Sequence, residues 1–172
     1  MALPDPEEER LVAELELLGI HYLSRQTPER AESVRPPAAL LADLVRQPSA
    51  RVRTAVIAVL LSHPDWAEAL PAALERLCPA ERQALLFFYT AAVLLQQQYA
   101  ARLRHYVAWR PLSDRFTVNL GLPSSVTIRE QLAALGRRHR QQTGKAVNWT
   151  GTYEKVVRCL LRSWELEAQW NR

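Results

Sequence analysis

The chain has 172 residues, of which 48% are hydrophobic and 23% are charged. This composition is typical of a folded globular domain, so it excludes a disordered chain, a collagen and a fibrous coiled coil as descriptions of the whole protein. Five glycines stand against eleven prolines. Phosphate-binding loops and many-stranded sheets depend on glycine turns, whereas prolines between apolar runs separate helices. The sequence therefore predicts a single all-α domain.

Charge is distributed unevenly along the chain. Residues 1–90 contain nine Lys and Arg and thirteen Asp and Glu, a net charge of −4. Residues 91–172 contain thirteen and five, a net charge of +8. Such asymmetry is typical of proteins that contact nucleic acid or an acidic partner. The alternative is a solvated basic surface in a chain that has 20 Arg and two Lys.

The cysteines and the N-terminus indicate the compartment. Cys78 and Cys159 are the only thiols and lie beside apolar residues, so they predict two buried side chains rather than a disulfide framework or a zinc site. Residues 1–9 are acidic where a signal peptide is basic. The longest apolar run, 84–95, is shorter than a bilayer-spanning helix. We expect a cytoplasmic protein that does not enter a membrane.

The N-terminal part of the chain predicts short helices. Pro6 and three glutamates form a favourable first turn for a helix whose apolar face extends to Tyr22, and Gly19 is expected either to end this helix or to loosen it. Residues 27–29 resemble a second helix start. The prolines at 36 and 37 end any helix that begins there.

Residues 37–77 contain three apolar units separated by prolines. Each unit is too short to be a stable helix alone, so the units must pack on one another. Within this stretch, Leu40-Leu41, followed by Arg51-Val52-Arg53, Ala55 and Leu60, resembles the first and second helices of HEAT-type repeats. The resemblance covers about forty residues.

The longest predicted helix, residues 79–109, begins at Pro79. Apolar residues recur along it at three- and four-residue steps, and residues 84–95 are apolar nearly all round. We therefore expect this half to be the central buried element, with Phe88 in the core. The glutamines at 96–98 are expected to mark the point at which the helix emerges into water.

The remaining chain predicts a loop and a basic helical pair. Gly121 and Pro123 lie in residues 112–125, which are expected to form an ordered loop. Residues 127–172 form the pair: Thr127 and Glu130 match a capping box, and Gly144 ends the first helix. The second helix is predicted to run from residue 152 to about residue 170, with Trp164 on its apolar side.

No catalytic motif is present in the sequence. It contains no GxGxxG, Walker A or GxSxG pattern, and the four histidines lack the HxxxH and HExxH spacings of metal sites. We therefore predict that the protein is not an enzyme and has no metal site or cofactor. A small helical enzyme is the third hypothesis for the function, after a protein-interaction module and a nucleic-acid-binding protein.

The most distinctive local feature is a cationic cluster followed by a tryptophan: Arg137, Arg138, Arg140, Lys145 and Trp149. Adjacent cations neutralise phosphates, and an indole offers a surface on which a base stacks. This cluster predicts a nucleic-acid-binding site, with a solvated basic face as the alternative.

Four of the five tryptophans lie at or after residue 109. Trp170, near the polar chain end, gains little from a core and is predicted to lie at a protein interface. The apolar residues Phe116, Val118 and Leu120 of the loop are expected to contribute to the same interface. The leading hypothesis is a non-enzymatic helical protein-interaction module, an adaptor or small subunit of a complex that handles nucleic acid. Direct RNA or DNA binding by the basic C-terminal half is the alternative.

Overall fold

A computed structural model describes residues 3, 5–24 and 30–172. These residues form nine α-helices and one 3-10 helix and contain no strand, which confirms the all-α prediction. The helix start predicted at residues 27–29 lies outside the described residues. The α-helices are α1 (Pro6–Leu17), α2 (Pro37–Val45), α3 (Ala50–Arg53), α4 (Ala55–Ser62), α5 (Leu70–Glu75), α6 (Pro79–Gln98), α7 (Ala100–Leu103), α8 (Ile128–Thr143) and α9 (Trp149–Trp170), and the 3-10 helix is Pro64–Ala69.

Helix α1 begins and ends at local signals. The Asp5 side chain accepts a hydrogen bond from the backbone N–H of Glu7 at 3.0 Å, which caps the first turn. The helix ends at Leu17, and Gly19 adopts a left-handed conformation with φ of 83°. Tyr22, expected on the apolar face of this helix, instead lies beyond its end because the chain turns at Gly19.

One arginine joins α1 to α2. Arg35 donates hydrogen bonds to Glu14 at 2.7 Å, to Glu7 at 2.7 Å and to Asp43 at 2.6 Å. Glu14 is almost fully buried, and this carboxylate is tolerated in the interior because the guanidinium pairs with it. These hydrogen bonds therefore hold α1 against α2.

Helix α6 is shorter than predicted but is central to the core. It ends at Gln98 rather than near residue 109, and a one-turn helix, α7, follows it. Phe88 is 1% exposed, and nearly all of residues 84–95 are buried or half-buried, which confirms the prediction of a central buried element. Helix α6 packs on α4 and α8, and α9 packs across α4, α6 and α8.

Gln96 does not emerge into water as predicted. It is 3% exposed, and its side-chain amide binds the backbone that follows α7. Its Nε2 donates to the carbonyl of Arg110 at 2.8 Å, and its Oε1 accepts from the N–H of Leu112 at 2.7 Å. Gln97 and Gln98 are exposed, as expected.

The basic helical pair contains two local features that the sequence pattern did not predict. Helix α8 continues through Gly136, where a Cβ would overlap Thr150 Oγ1 and lie 2.9 Å from the Thr150 backbone nitrogen, so the glycine allows α8 and α9 to approach closely here. Helix α9 begins at Trp149 rather than residue 152, because the side chain of Asn148 accepts a hydrogen bond from the N–H of Gly151 and caps it.

Both cysteines are more accessible than predicted. Cys78 is exposed at the first turn of α6, where its backbone N–H donates to Glu81 Oε1 at 3.1 Å. Cys159 is half-buried. Cys78 is exposed because it precedes the helix instead of lying on its apolar face. In the part of the chain that the structure describes, no helix is both long enough and apolar enough to cross a bilayer.

Candidate functional site

The C-terminal end of α8 carries a basic recess. At the opposite end of α8, where the helix begins, the capping box forms as predicted: Thr127 Oγ1 accepts from the N–H of Glu130, and the Glu130 side chain accepts from the N–H of Thr127. Gly144 ends the helix with φ of 67°. The turn at Gly144 brings three exposed cations together around a recess of about 390 Å³: Arg137, Arg140 and Lys145. We call this the α8 recess.

Arg138 is exposed but does not line the α8 recess. In a helix, consecutive residues point about 100° apart, so the cations at 137 and 138 face different directions. The predicted cationic cluster is therefore divided between two surfaces.

Trp149 is buried, at 5% exposure, and this contradicts its predicted role as a stacking surface for bases. Its ring stacks on His139 with a centroid distance of 3.7 Å, and His139 stacks on Phe87 from the other side at 4.3 Å. The ring is covered because α9 begins at this residue and packs it against α8. Trp149 therefore belongs to the core.

His139 lies between the exposed cations Arg138 and Arg140 in sequence but is itself buried. Burial, with a smaller contribution from the charge of Arg53, lowers the pKa of His139 to about 3, so the imidazole is neutral at pH 7. Its Nδ1 lies 2.5 Å from the hydroxyl of Tyr153. Its position four residues after Leu135 is the sequence signal that places it on the buried face.

Seven exposed cations lie between residues 131 and 162 and form no ion pair with any described residue. The residues from 131 to 162 contain only one carboxylate, Glu154. The helical hairpin of α8 and α9 therefore presents uncompensated positive charge. These cations are Arg137, Arg138, Arg140, Lys145, Lys155, Arg158 and Arg162.

The loop of residues 112–125 is ordered and contains no strand, as predicted, but it offers little apolar surface. Leu120 is 7% exposed and belongs to the core, and half-buried Phe116 packs edge-on against Tyr89 with ring centroids 5.6 Å apart. The Tyr89 hydroxyl donates to the carbonyl of Ser113 at 2.7 Å. Of the three predicted interface residues in this loop, only Val118 is largely exposed, at 88%.

The last turns of α9 carry the largest exposed aromatic side chain. Trp170 is 86% exposed, and Leu166, one turn earlier, is 45% exposed. Ser163, Leu166, Glu167 and Trp170 share one side of the helix and line a shallow recess of about 440 Å³. We call this surface the α9 face. Leu166 was not among the predicted interface residues, although its position four residues before Trp170 indicates that the two side chains share one side of the helix.

Trp164 separates the α9 face from the core. It is half-buried, its Nε1 donates to the carbonyl of Gly19 at 2.9 Å, and its ring lies 5.6 Å from that of Tyr106. Arg102 pairs with Glu165 on the adjacent side at 2.6 Å. These contacts hold the end of α9 in place while Trp170 projects beyond them.

Within residues 3, 5–24 and 30–172, no group of His, Cys, Asp and Glu is arranged to hold a metal ion. No protein-family model, curated protein or solved structure matches this chain.

Proposed function

We propose that the protein is a non-enzymatic helical interaction module, an adaptor or small subunit of a complex, that binds a protein partner through the α9 face. The observation that carries this proposal is the 86% exposure of Trp170 beside exposed Leu166 on a helix end that is fixed by Trp164. An indole in this position contributes little to folding, and tryptophan is enriched among the residues that dominate binding energy at protein interfaces. Because the helix is already ordered, binding costs little conformational entropy.

The test measures affinity for the partner that co-purifies with the full-length protein from its native source. We expect Trp170→Ala to weaken that affinity by about 30-fold or more, equivalent to about 2 kcal/mol, because removal of the indole leaves its pocket on the partner empty. The melting temperature should stay nearly unchanged, since Trp170 contributes little to the core.

Trp164→Ala is the matched control. This substitution removes a half-buried ring and its hydrogen bond to Gly19, so it should lower the free energy of unfolding by about 2–4 kcal/mol. Equal losses of melting temperature for the two variants would place Trp170 in the fold rather than at an interface. An unchanged affinity for Trp170→Ala would exclude the α9 face as the binding surface.

Direct nucleic-acid binding is the second candidate, and the unpaired cations of the α8–α9 hairpin favour it. Three of them, Arg137, Arg140 and Lys145, converge on the α8 recess, where phosphate oxygens would meet several donors at once. Trp149 has no part in this candidate because it is buried. Recognition would therefore depend on phosphate charge and not on base identity.

Salt titration tests this candidate. Replacing Arg137, Arg140 and Lys145 together with Gln should make the slope of log affinity against log salt for duplex DNA shallower by roughly three contacts at about 0.9 each. The matched control replaces Arg10, Arg102 and Arg110, which are paired with Glu7, Glu165 and Glu68, and removes the same formal charge. Its slope should change less. A wild-type protein that shifts no nucleic acid at low salt would contradict the candidate.

A further inference from the structure

A further recess, separate from the α8 recess and the α9 face, lies where three distant parts of the chain meet. Its volume is about 310 Å³. Tyr22 contributes from the segment after α1, Arg51 and Thr54 contribute from α3 and its end, and Thr152, Lys155 and Cys159 contribute from α9. We call this the Tyr22 recess. Its volume is at the lower end of the range for small-molecule sites.

The Tyr22 recess is cationic. Arg51 and Lys155 line it, and no Asp or Glu of the described chain does so. The Arg51 guanidinium is held in place by the chain, because its Nη2 donates to the carbonyls of Tyr22 at 3.4 Å and Leu23 at 3.2 Å. Neither cation pairs with a described carboxylate. Positive charge is therefore concentrated in a concave site without compensation.

The Tyr22 hydroxyl is a buried donor without an acceptor. It is inaccessible to solvent and has no hydrogen-bond partner among the described residues. Burial and, to a smaller extent, the neighbouring Cys159 raise the pKa of Tyr22, while Arg51 opposes this change, so the hydroxyl is protonated at pH 7. Buried polar atoms in folded proteins nearly always have a partner. An anionic oxygen is the acceptor that suits both this donor and the two cations.

We propose that the Tyr22 recess binds a small organic anion, whose carboxylate or phosphate group pairs with Arg51 and Lys155. The Tyr22 hydroxyl, which is closed to solvent in the unliganded chain, donates a hydrogen bond to this anion after the side chains around it move aside. The apolar body of the ligand packs on Val156 and on the methyl groups of Thr54 and Thr152, which also line the recess. Carboxylates and phosphate monoesters share the chemistry that this site recognises. The proposal is independent of the protein-binding function proposed for the α9 face.

Three aromatic probes of similar shape test the proposal on the full-length chain. Benzoate carries a carboxylate, phenyl phosphate carries a phosphate, and benzamide carries no charge. In amide-resolved NMR titrations, we expect at least one anion to shift the resonances of Thr54, Thr152 and Val156, whereas benzamide leaves them unchanged. The comparison of benzoate with phenyl phosphate distinguishes a carboxylate site from a phosphate site. Absence of shifts with both anions, or equal shifts with benzamide, would overturn the proposal.

Two single substitutions test the residues that carry the site. Tyr22→Phe removes only the hydroxyl and should weaken binding of the better anion about tenfold or more, since hydrogen bonds to charged groups are strong. It should not lower the melting temperature, because the lost hydroxyl has no hydrogen-bond partner in the part of the chain that the structure describes. Lys155→Gln should also weaken binding, by about threefold or more.

The controls separate this recess from general charge effects. Arg129→Gln removes the same formal charge from an exposed position that lines neither recess, and Tyr106→Phe removes a hydroxyl outside the Tyr22 recess. Both variants should bind the anion within about twofold of the wild type, since neither residue lines the site. If Arg129→Gln weakens binding as much as Lys155→Gln does, or if Tyr22→Phe binds as the wild type does, the assignment of the site is wrong.

Discussion

His139 connects the burial of one side chain to the pH dependence of the whole protein. The His139 ring is enclosed between Phe87 and Trp149. Burial and, to a smaller extent, the charge of Arg53 lower the pKa of His139 to about 3. In an unfolded chain, histidine takes up a proton near pH 6.5. Between these two values the unfolded state binds one more proton at His139 than the folded state does. The stability supplied by the neutral imidazole is therefore fully present above about pH 6.5 and is lost as the pH falls.

We expect His139 to make the free energy of unfolding fall by about 1.4 kcal/mol for each pH unit below about 6.5. Urea denaturation at about pH 7.5, 6 and 5 measures this slope. The comparison protein carries His139→Phe together with Tyr153→Phe, so that no tyrosine hydroxyl is left without the Nδ1 partner. Carboxylates contribute equally to both proteins. The variant should therefore show a shallower slope by that amount, and identical slopes would mean that His139 is protonated in the folded state.

Helix starts could be predicted from the sequence because their signals are local. Pro6, Pro37 and Pro79 each begin a helix where proline suits the first turn, and Thr127 with Glu130 forms the expected capping box. The end of α6 could not be predicted in this way. The apolar periodicity continues across the break at Gln98, because Leu103 is buried on the separate helix α7. Apolar periodicity indicates which residues are buried but not where a helix ends, because α6 and α7 both bury residues in the same core.

The Gln96 amide acts at the scale of an element, because it fixes the chain segment that connects α7 to the loop before α8. We expect Gln96→Glu to lower the free energy of unfolding by about 2–4 kcal/mol at pH 7. The substitution replaces a buried N–H donor with a second acceptor facing the Arg110 carbonyl, and it places a charge in the interior. Urea denaturation and hydrogen exchange at the Leu112 amide, the other partner of Gln96, measure the effect.

Gln97→Glu is the control, since it makes the same chemical change at the next, exposed position. Its effect should stay within about 0.5 kcal/mol. If both substitutions have the same small effect, the Gln96 side chain does not hold residues 110–112. Because the cost for Gln96→Glu arises from burying a charge, it should shrink as the pH falls and the carboxyl is protonated.

At the candidate sites, the sequence predicts the charge of the residues but not which of them are buried or which of them meet in one recess. The cationic character of Arg137, Arg140 and Lys145 is visible in the sequence, and the turn at Gly144 brings them together. The burial of Trp149 was not predictable from composition, because it depends on α9 beginning three residues earlier than expected. The Tyr22 recess assembles residues from positions 22 to 159, a separation that no local pattern reveals. The HEAT-type resemblance of residues 37–77 stays a prediction.

At the scale of the whole molecule, the apolar side chains form one core. A continuous cluster of buried residues extends from Leu11 on α1 to Leu161 on α9, and α4 and α6 are covered by α9 and α8. Residues 1–90, with a net charge of −4, and residues 91–172, with a net charge of +8, both contribute buried side chains to this core.

We expect the full chain to unfold in one cooperative transition, since no part of the core is complete without the rest. Thermal melts followed by far-ultraviolet circular dichroism and by tryptophan fluorescence should coincide. A chain of residues 1–110 should lack a cooperative transition, because the faces of α4 and α6 that contact α9 and α8 would be exposed. Cooperative melting of that fragment near the full-length melting temperature would show that the chain contains two domains.

The accessibility of Cys78 affects how the assembly state of this protein is measured. An exposed thiol on each copy allows two molecules to become covalently linked when reductant is omitted. A species of twice the monomer mass in a non-reducing gel then reports air oxidation and not self-association. Cys159 is half-buried in the Tyr22 recess, so a maleimide dye should react with the two thiols at different rates. Binding of an anion in the Tyr22 recess should slow only the reaction of the dye with Cys159. The reaction rate of the Cys159 thiol therefore reports whether the ligand is bound.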